Sequence, residues 1–225
     1  MPSYAEQREA LVTHLATLAP AEVLAPFAQE QHARETQGLP PGLPAPGTPI
    51  PETPLLDAHG NPTTLAATRS GRAAVLVFYR GAWCPYCNLA LRTYQEHLLP
   101  QLRTRDVALI AISPQRPDGS LSTRETNELA FPVLSDPGNE LARALGIVTE
   151  ATAESKAAQV KLGIDVAAAN ADHTAQVPMP TVLVLDRGGV IRWLEVQPNY
   201  ANRTEPAAVL AAVVALESAE AVQSV

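Results

Sequence analysis

Three mainly apolar runs divide the chain and predict strands that are buried on both faces. The runs lie at residues 75–79, 107–113 and 181–186. Segments whose spacing is compatible with a helix follow them, at residues 88–99, 122–129, 137–145 and 206–216. Buried strands that alternate with helices are typical of an α/β fold, in which helices cover both faces of a mixed, partly parallel central β-sheet.

Shorter signals complete the predicted sheet. Brief strands are predicted at 54–57 and 131–134, and Arg187-Gly188-Gly189 predicts a turn into a strand at 190–196. The helix that starts at residue 88 is predicted to end before Pro100, because proline has no backbone N–H to donate. The predicted core domain therefore spans residues 55–225.

Two further segments precede this domain, and one interrupts it. Residues 1–37 predict a helical arm, since Leu11, Val12, Leu15 and Leu18 recur on one helical face. Prolines are frequent in residues 38–54. Such a segment cannot form a helix or a central strand, so an extended linker is predicted. An alanine-rich, polar stretch at 150–176 predicts an insertion with helical propensity.

Cys84 and Cys87 are the only cysteines and stand between a predicted buried strand and a predicted helix as Cys-Pro-Tyr-Cys. A lone C-x-x-C in that position is typical of a redox dithiol of the thioredoxin type. The helix N-terminus lowers the pKa of the first thiol and so favours its thiolate. Cys84 is therefore the predicted nucleophile, and Cys87 is the predicted resolving thiol.

Two other interpretations of the cysteines remain open. They could be inert and buried, or they could form half of a zinc site. A structural zinc site normally takes four protein ligands, and the chain has neither a second cysteine pair nor histidines at ligand spacing. We therefore expect no metal and no bound cofactor.

Composition narrows the classes of partner and compartment. The net charge of the 225 residues is −7 and no dense basic patch occurs, which argues against nucleic acid. No apolar run approaches the roughly 18 residues of a membrane span. The N-terminal residues lack the pattern of a secretory signal, so we expect a cytoplasmic protein whose two cysteines are catalytic.

Residues around the dithiol are candidates for contact with substrate. Pro85 suits the first turn of a helix, and the Pro85-Tyr86 pair resembles the glutaredoxin dipeptide. Trp83 could shape the substrate surface or simply pack, while Arg80 could stabilise the thiolate or be solvated.

A second candidate segment is Met179-Pro180-Thr181, directly before a predicted strand. In thioredoxin-like folds a cis-proline followed by threonine lies against the active-site cysteines. We therefore predict that Pro180 is cis and that the Met179 carbonyl borders the substrate site.

The tract from Phe78 to Leu89, with the sequence FYRGAWCPYCNL, resembles the peroxiredoxin-like branch of the alkyl hydroperoxide reductase/thiol-specific antioxidant (redoxin) family. The resemblance continues through residues 111–115, 131–139 and 186–192, and through 197–206. It implies a thioredoxin-like fold with thiol-based redox chemistry.

The sequence departs from that family where peroxide is usually activated. Typical members carry proline and threonine or serine at the places of Val77 and Gly81, and an arginine at the place of Pro180. The chain also departs from thioredoxin, whose buried aspartate is replaced by Phe78.

The sequence thus favours a thiol oxidoreductase and leaves its reaction open. The first hypothesis is thiol–disulfide exchange, in which Cys84 attacks a disulfide and Cys87 releases the product. The second is a thiol peroxidase, in which Cys87 resolves a sulfenic acid on Cys84. A third is a non-enzymatic interaction module that uses the arm. A small-molecule or protein disulfide or peroxide would be the substrate, a dithiol or glutathione the reductant, and a homodimer is possible.

Overall fold

The computed structural model describes residues 3–223 and shows a seven-stranded mixed sheet. Its strands are β1 (Leu55–Leu56), β2 (Pro62–Thr63), β3 (Ala74–Phe78), β4 (Ala108–Ser113), β5 (Val133–Ser135), β8 (Thr181–Leu185) and β9 (Ile191–Val196). Across the sheet their order is β2-β1-β5-β4-β3-β8-β9. A separate two-stranded sheet pairs β6 (Val148–Glu150) with β7 (Gln176–Pro178). The three long apolar runs form the centre of the large sheet, as their pattern predicted.

Burial on both faces of the sheet explains why those runs are mainly apolar. Strand β3 pairs in parallel with β4 and antiparallel with β8, so both of its edges are covered. Val75 and Val77 face one hydrophobic cluster, while Leu76 and Phe78 face another on the opposite side of the sheet. Because successive side chains of a strand point to opposite faces, burial on both faces requires apolar residues at every position.

Helices cover both faces of the large sheet. They are α1 (Tyr4–Leu18), α2 (Ala21–Gln37), α3 (Leu65–Arg69), α4 (Pro85–Thr93), α5 (Leu99–Arg103), α6 (Pro117–Thr126), α7 (Glu140–Ala144), α8 (Ala153–Lys161), α9 (Val166–Ala169) and α10 (Pro206–Gln223). Helices α8 and α9 lie within the predicted insertion. Within residues 3–223, no helix is both long and apolar enough to cross a membrane.

Two of the helix boundaries that differ from their predictions involve prolines. The helix that begins at α4 does not end at Pro100 but continues through a π-helical turn, Tyr94–Leu98, into α5. In that turn the Leu99 N–H donates to the carbonyl five residues earlier, at Tyr94, and this shift of register accommodates a proline without a donor. Helix α6 begins at Pro117 rather than at residue 122, because proline is favoured in the first turn.

The arm packs on its own domain. Helix α1 contacts α4, and α2 contacts α8. Tyr4 is buried and donates a hydrogen bond of 2.8 Å to the Ala201 carbonyl. The Glu205 carboxylate accepts hydrogen bonds from the backbone N–H groups of Tyr4 and Ala5, which secures the first turn of α1. The start of the arm is thereby fixed beside the loop that precedes α10.

The prediction of a cis-proline was wrong. The described residues contain no cis peptide bond, so the bond between Met179 and Pro180 is trans. Pro180 lies immediately before β8. A proline at that position removes no backbone N–H group from the hydrogen bonds between the strands. The Thr181 hydroxyl donates to the Met179 carbonyl at 2.9 Å, so that carbonyl is already engaged within the protein.

Candidate active site

The two cysteines lie where β3 leads into α4. Cys84 is the residue that caps the start of α4, Pro85 occupies the first turn, and Cys87 follows within that turn. The Cys87 N–H donates to the Cys84 carbonyl at 3.0 Å. Both are free thiols and are almost completely buried, with relative exposures of 1% and 0%. The predicted strand–dithiol–helix arrangement is therefore present.

A buried arginine lies over both sulfurs. The Arg203 guanidinium donates from Nη2 to Cys87 Sγ at 3.0 Å and approaches Cys84 Sγ at 3.9 Å. Its Nη1 donates to the carbonyls of Tyr200 and Asn202, at 2.5 and 2.6 Å. These carbonyls belong to the loop between β9 and α10, so the loop itself orients the guanidinium toward the thiols.

Cys87 is the more acidic thiol of the pair. Burial opposes its ionisation, but a hydrogen bond from Cys84, the charge of Arg203 and the Arg80 backbone N–H hold the pKa of Cys87 well below its usual range. The Arg80 N–H lies 3.4 Å from Cys87 Sγ. Burial raises the pKa of Cys84, and the neighbouring Cys87 adds to this increase.

This assignment reverses the order of acidity that the sequence predicted. The helix N-terminus was expected to lower the pKa of Cys84, because it presents backbone N–H groups to the first sulfur. A full guanidinium charge at hydrogen-bonding distance outweighs a partial charge, and it lies nearer to Cys87. The position of the guanidinium therefore favours ionisation of Cys87 over that of Cys84.

The two cysteines differ in their access to a cavity. Cys84 borders a cavity of about 460 Å³ between the arm and the start of α4, whereas Cys87 does not line it. Trp83, Pro85 and Tyr86 also line this cavity, so three predicted contact residues lie beside Cys84. A small molecule in the cavity would reach Cys84 first.

Arg80 lies on the cavity wall and is held by aromatic rings. Its guanidinium stacks 4.1 Å from the Tyr200 ring centre and 5.0 Å from that of Trp83. Arg80 is buried and its Nε has no hydrogen-bond partner. Its charge favours the ionised form of Cys84, so the charge-stabilising alternative predicted for this residue fits better than the solvated one.

The second predicted segment lies away from this cavity. Met179 and Pro180 line a separate small cleft, which Arg80 and Tyr200 also border. Thr181 pairs with Phe78 at the end of β3 and is buried. None of these three residues lines the cavity at Cys84, but Arg80 and Tyr200 border both the cleft and the cavity.

Sequence reasoning missed the most important charged residue. Arg203 is 116 positions from Cys87 and stands in a loop that carries no local motif. It falls inside the 197–206 tract that resembles the redoxin family, and that resemblance was the only available signal. The cavity-lining role of α1 and α2 was also missed, because the spacing of their apolar residues indicates a packed face without saying what it faces.

The glycine in the place of the family threonine is required by its surroundings. Gly81 has φ +153°, and a Cβ atom there would lie 2.4 Å from Trp83 Nε1. We therefore expect Gly81→Thr to displace Trp83 and to destabilise the fold by roughly 1–3 kcal/mol or more, without creating a peroxide-activating hydroxyl. Thermal melting and the Trp fluorescence spectrum would measure both effects.

Gly71→Thr is the matched control for this substitution. Gly71 also has positive φ, at +74°, but a Cβ atom there would have no neighbouring atom within 4 Å. The control should carry backbone strain alone and leave the Trp spectrum unchanged. Equal losses of stability in the two variants, with an unchanged spectrum in both, would show that Trp83 does not exclude a side chain at position 81.

Solved structures of peroxiredoxin type share this fold. Peroxidoxin BcpB from Mycobacterium tuberculosis is 19% identical, with a TM-score of 0.57 over 76% of this chain and 96% of the other. A peroxiredoxin-like protein from Aquifex aeolicus is 13% identical, with a TM-score of 0.61 over 78% and 89% of the two chains. The molecule therefore has the thioredoxin-like fold of the peroxiredoxin class.

The family follows from the sequence comparisons. The model of the AhpC/TSA family matches residues 46–194, and the chain belongs to that family. "Putative peroxiredoxin Rv2521" of Mycobacterium tuberculosis is 33% identical over 125 residues, which cover 56% of this chain and 75% of that protein. Its counterpart in another strain, "Putative peroxiredoxin MT2597", matches to the same extent. The protein is accordingly a thiol-dependent redox enzyme, as its sequence predicted.

Proposed function

We propose that the protein is a two-cysteine thiol peroxidase, in which Cys84 reduces a hydroperoxide and Cys87 resolves the product as an intramolecular disulfide. The observation that carries this proposal is the geometry of the pair. The Arg203 guanidinium lies 3.0 Å from Cys87 Sγ and 3.9 Å from Cys84 Sγ, and of the two cysteines only Cys84 borders a cavity. Membership of the AhpC/TSA family supports peroxide as the oxidant.

The proposed first step moves a proton within the pair. The Cys87 thiolate takes the proton of Cys84 as the hydroperoxide arrives, and Arg203, 3.9 Å from Cys84 Sγ, stabilises the new thiolate. Cys84 Sγ attacks the terminal peroxide oxygen and the O–O bond breaks, which leaves a sulfenic acid on Cys84. The departing alkoxide regains a proton from Cys87 and leaves as an alcohol.

The second step closes the disulfide. The Cys87 thiolate attacks the Cys84 sulfenic sulfur, an S–S bond forms, and the hydroxide that leaves takes a proton from solvent to become water. Two thiols are oxidised and one hydroperoxide is reduced in the complete reaction. A dithiol or glutathione would return the pair to its reduced form, as the sequence also predicted.

Arg80 takes the place of the missing threonine in this proposal. The family hydroxyl is replaced by Gly81, so another donor must stabilise the charge that develops on the peroxide oxygen. The Arg80 Nε is buried without a partner beside Cys84. A guanidinium N–H is a charge-assisted donor and can serve this role.

Thiol–disulfide exchange is the second candidate function. The C-x-x-C spacing and the replacement of the family's proline and threonine by Val77 and Gly81 favour it. The arm covers Cys84, whose exposure is 1%, so a small disulfide would reach the sulfur more readily than a folded protein would. The same Cys84 nucleophile and Cys87 resolving thiol would serve both reactions.

Stopped-flow kinetics on the fully reduced protein separate the two functions. Trp83 directly precedes Cys84, so its fluorescence should report oxidation of the pair. We expect oxidation by an organic hydroperoxide to be at least about a hundredfold faster than that of a free thiolate, since charge stabilisation of a transition state contributes factors of that size. Slow reaction with hydroperoxides but fast reaction with a small disulfide would establish exchange instead.

A further inference from the structure

Half of the residues that line the cavity beside Cys84 lie outside the matched family residues. One wall is formed by side chains of α1 and α2, among them Leu15, Leu24, Phe27 and Ala28, and residues of α8 and the segment that follows it complete the lining. The family model matches residues 46–194, so these two helices lie outside it. The arm therefore adds a binding surface to the dithiol site that the matched part of the fold does not contain.

The chemistry of the cavity changes from one side to the other. The arm contributes aliphatic and aromatic groups together with the polar Gln31, whereas Cys84 and Arg80 lie on the side that also carries Trp83 and Tyr86. Arg80 is 5% exposed, its Nε has no partner, and no carboxylate among residues 3–223 forms an ion pair with it. A buried cation that stacks on two aromatic rings but has no ion-pair partner, beside an apolar space, fits a ligand with one polar end and one apolar end.

We propose that the arm cavity is the binding site for the aliphatic chain of an organic hydroperoxide, whose O–O group lies between Cys84 and Arg80. This inference rests on the proposed peroxidase function and adds to it the place where the aliphatic chain of the substrate binds, a wall formed by helices outside the matched family residues. The cavity volume, about 460 Å³, is within the usual range of sites for small organic ligands. Hydrogen peroxide has no apolar group that could contact this wall.

The proposal predicts a dependence on chain length. Each methylene that leaves water for the cavity should strengthen binding by about fourfold, which is the fold-change that corresponds to the transfer of one CH₂ group. The value of kcat/KM should therefore increase from hydrogen peroxide through tert-butyl hydroperoxide to an unbranched octyl hydroperoxide. Equal values for all three compounds would overturn the inference.

A variant that fills the cavity tests the location of the site. Ala28 lines it, and Ala28→Phe should reduce the preference for octyl hydroperoxide over hydrogen peroxide by about tenfold or more, since roughly two or more methylenes lose their space. Ala33→Phe is the matched control, because Ala33 is an exposed alanine of the same helix that does not line the cavity. A preference that is unchanged in Ala28→Phe, or equally reduced in both variants, would contradict the assignment.

Binding of an unreactive probe separates this inference from the proposed function. The reduced protein is titrated with 1-decanol, and Trp83 fluorescence is the signal, since Trp83 lines the cavity. We expect saturable binding that Ala28→Phe weakens about tenfold and Ala33→Phe leaves unchanged. Absence of saturable binding would overturn the inference even if hydrogen peroxide is reduced. Binding of decanol without turnover of any hydroperoxide would contradict the peroxidase proposal and leave the cavity assignment intact.

Discussion

Cys84→Ser is expected to abolish turnover of hydroperoxide, by at least about a thousandfold, because loss of a covalent nucleophile removes the reacting atom. Cys87 cannot replace it, since that sulfur is completely buried and does not line the cavity. The measurement is the steady-state rate with an organic hydroperoxide and a dithiol reductant. A folded Cys84→Ser protein with a normal rate would show that Cys84 is not the nucleophile.

Cys87→Ser is the matched control, since it removes the other sulfur of the same pair. It should still react with hydroperoxide, more slowly, because Cys84 loses the neighbouring base to which it donates its proton. The product should be one added oxygen atom on Cys84, seen by intact mass, rather than a disulfide. If Cys87→Ser is inert and Cys84→Ser is active, the more acidic thiol is the nucleophile and the two roles are exchanged.

Arg203→Met is expected to raise the pKa of the reactive thiol pair and to slow its oxidation. The guanidinium lies 3.0 Å from Cys87 Sγ and is a principal cause of the lowered pKa of that residue. Each pKa unit that is lost lowers the thiolate fraction about tenfold at a pH below the pKa. We expect a loss of roughly 10- to 100-fold at pH 7, which corresponds to one or two units.

The pH dependence of the alkylation rate tests whether the charge of Arg203 causes the lowered thiol pKa. A thiol with a lowered pKa stays reactive above that pKa and loses reactivity as the pH falls through it. In a plot of alkylation rate against pH, the acid limb should therefore move to higher pH in Arg203→Met. It should move less in Arg203→Lys, because lysine keeps the positive charge. An unchanged limb in a folded Arg203→Met protein would mean that Arg203 serves only to hold the carbonyls of Tyr200 and Asn202.

Much of the fold could be predicted from local pattern. The runs that became β3, β4 and β8 are apolar at nearly every position because each is covered on both faces, and that requirement is visible in the sequence. The cysteines at the end of β3 were predicted as well, since strand, dithiol and helix are contiguous. The predicted helix boundaries near two prolines were wrong. The first helix continues past Pro100 through a π-helical turn, and another helix begins at Pro117.

Predictions that depended on contacts between distant segments were less successful. The resemblance to thioredoxin-like folds suggested a cis-proline at position 180, but the bond is trans and the segment lies outside the cavity at Cys84. Gly81 could be recognised as a departure from its family, but the reason was not visible. The Trp83 indole occupies the space that a larger side chain would need.

The sequence alone determined the class of the molecule: an α/β fold whose two cysteines stand at a strand–helix junction, because strand burial and helix starts depend on neighbouring residues. The tertiary structure decided how that site works. It brought Arg203 from the loop before α10 onto the sulfurs, made Cys87 the more acidic thiol, and placed α1 and α2 over Cys84 as the wall of a cavity. Charge and access at a buried site depend on distances between segments that are far apart in the chain, and single-sequence patterns do not contain those distances.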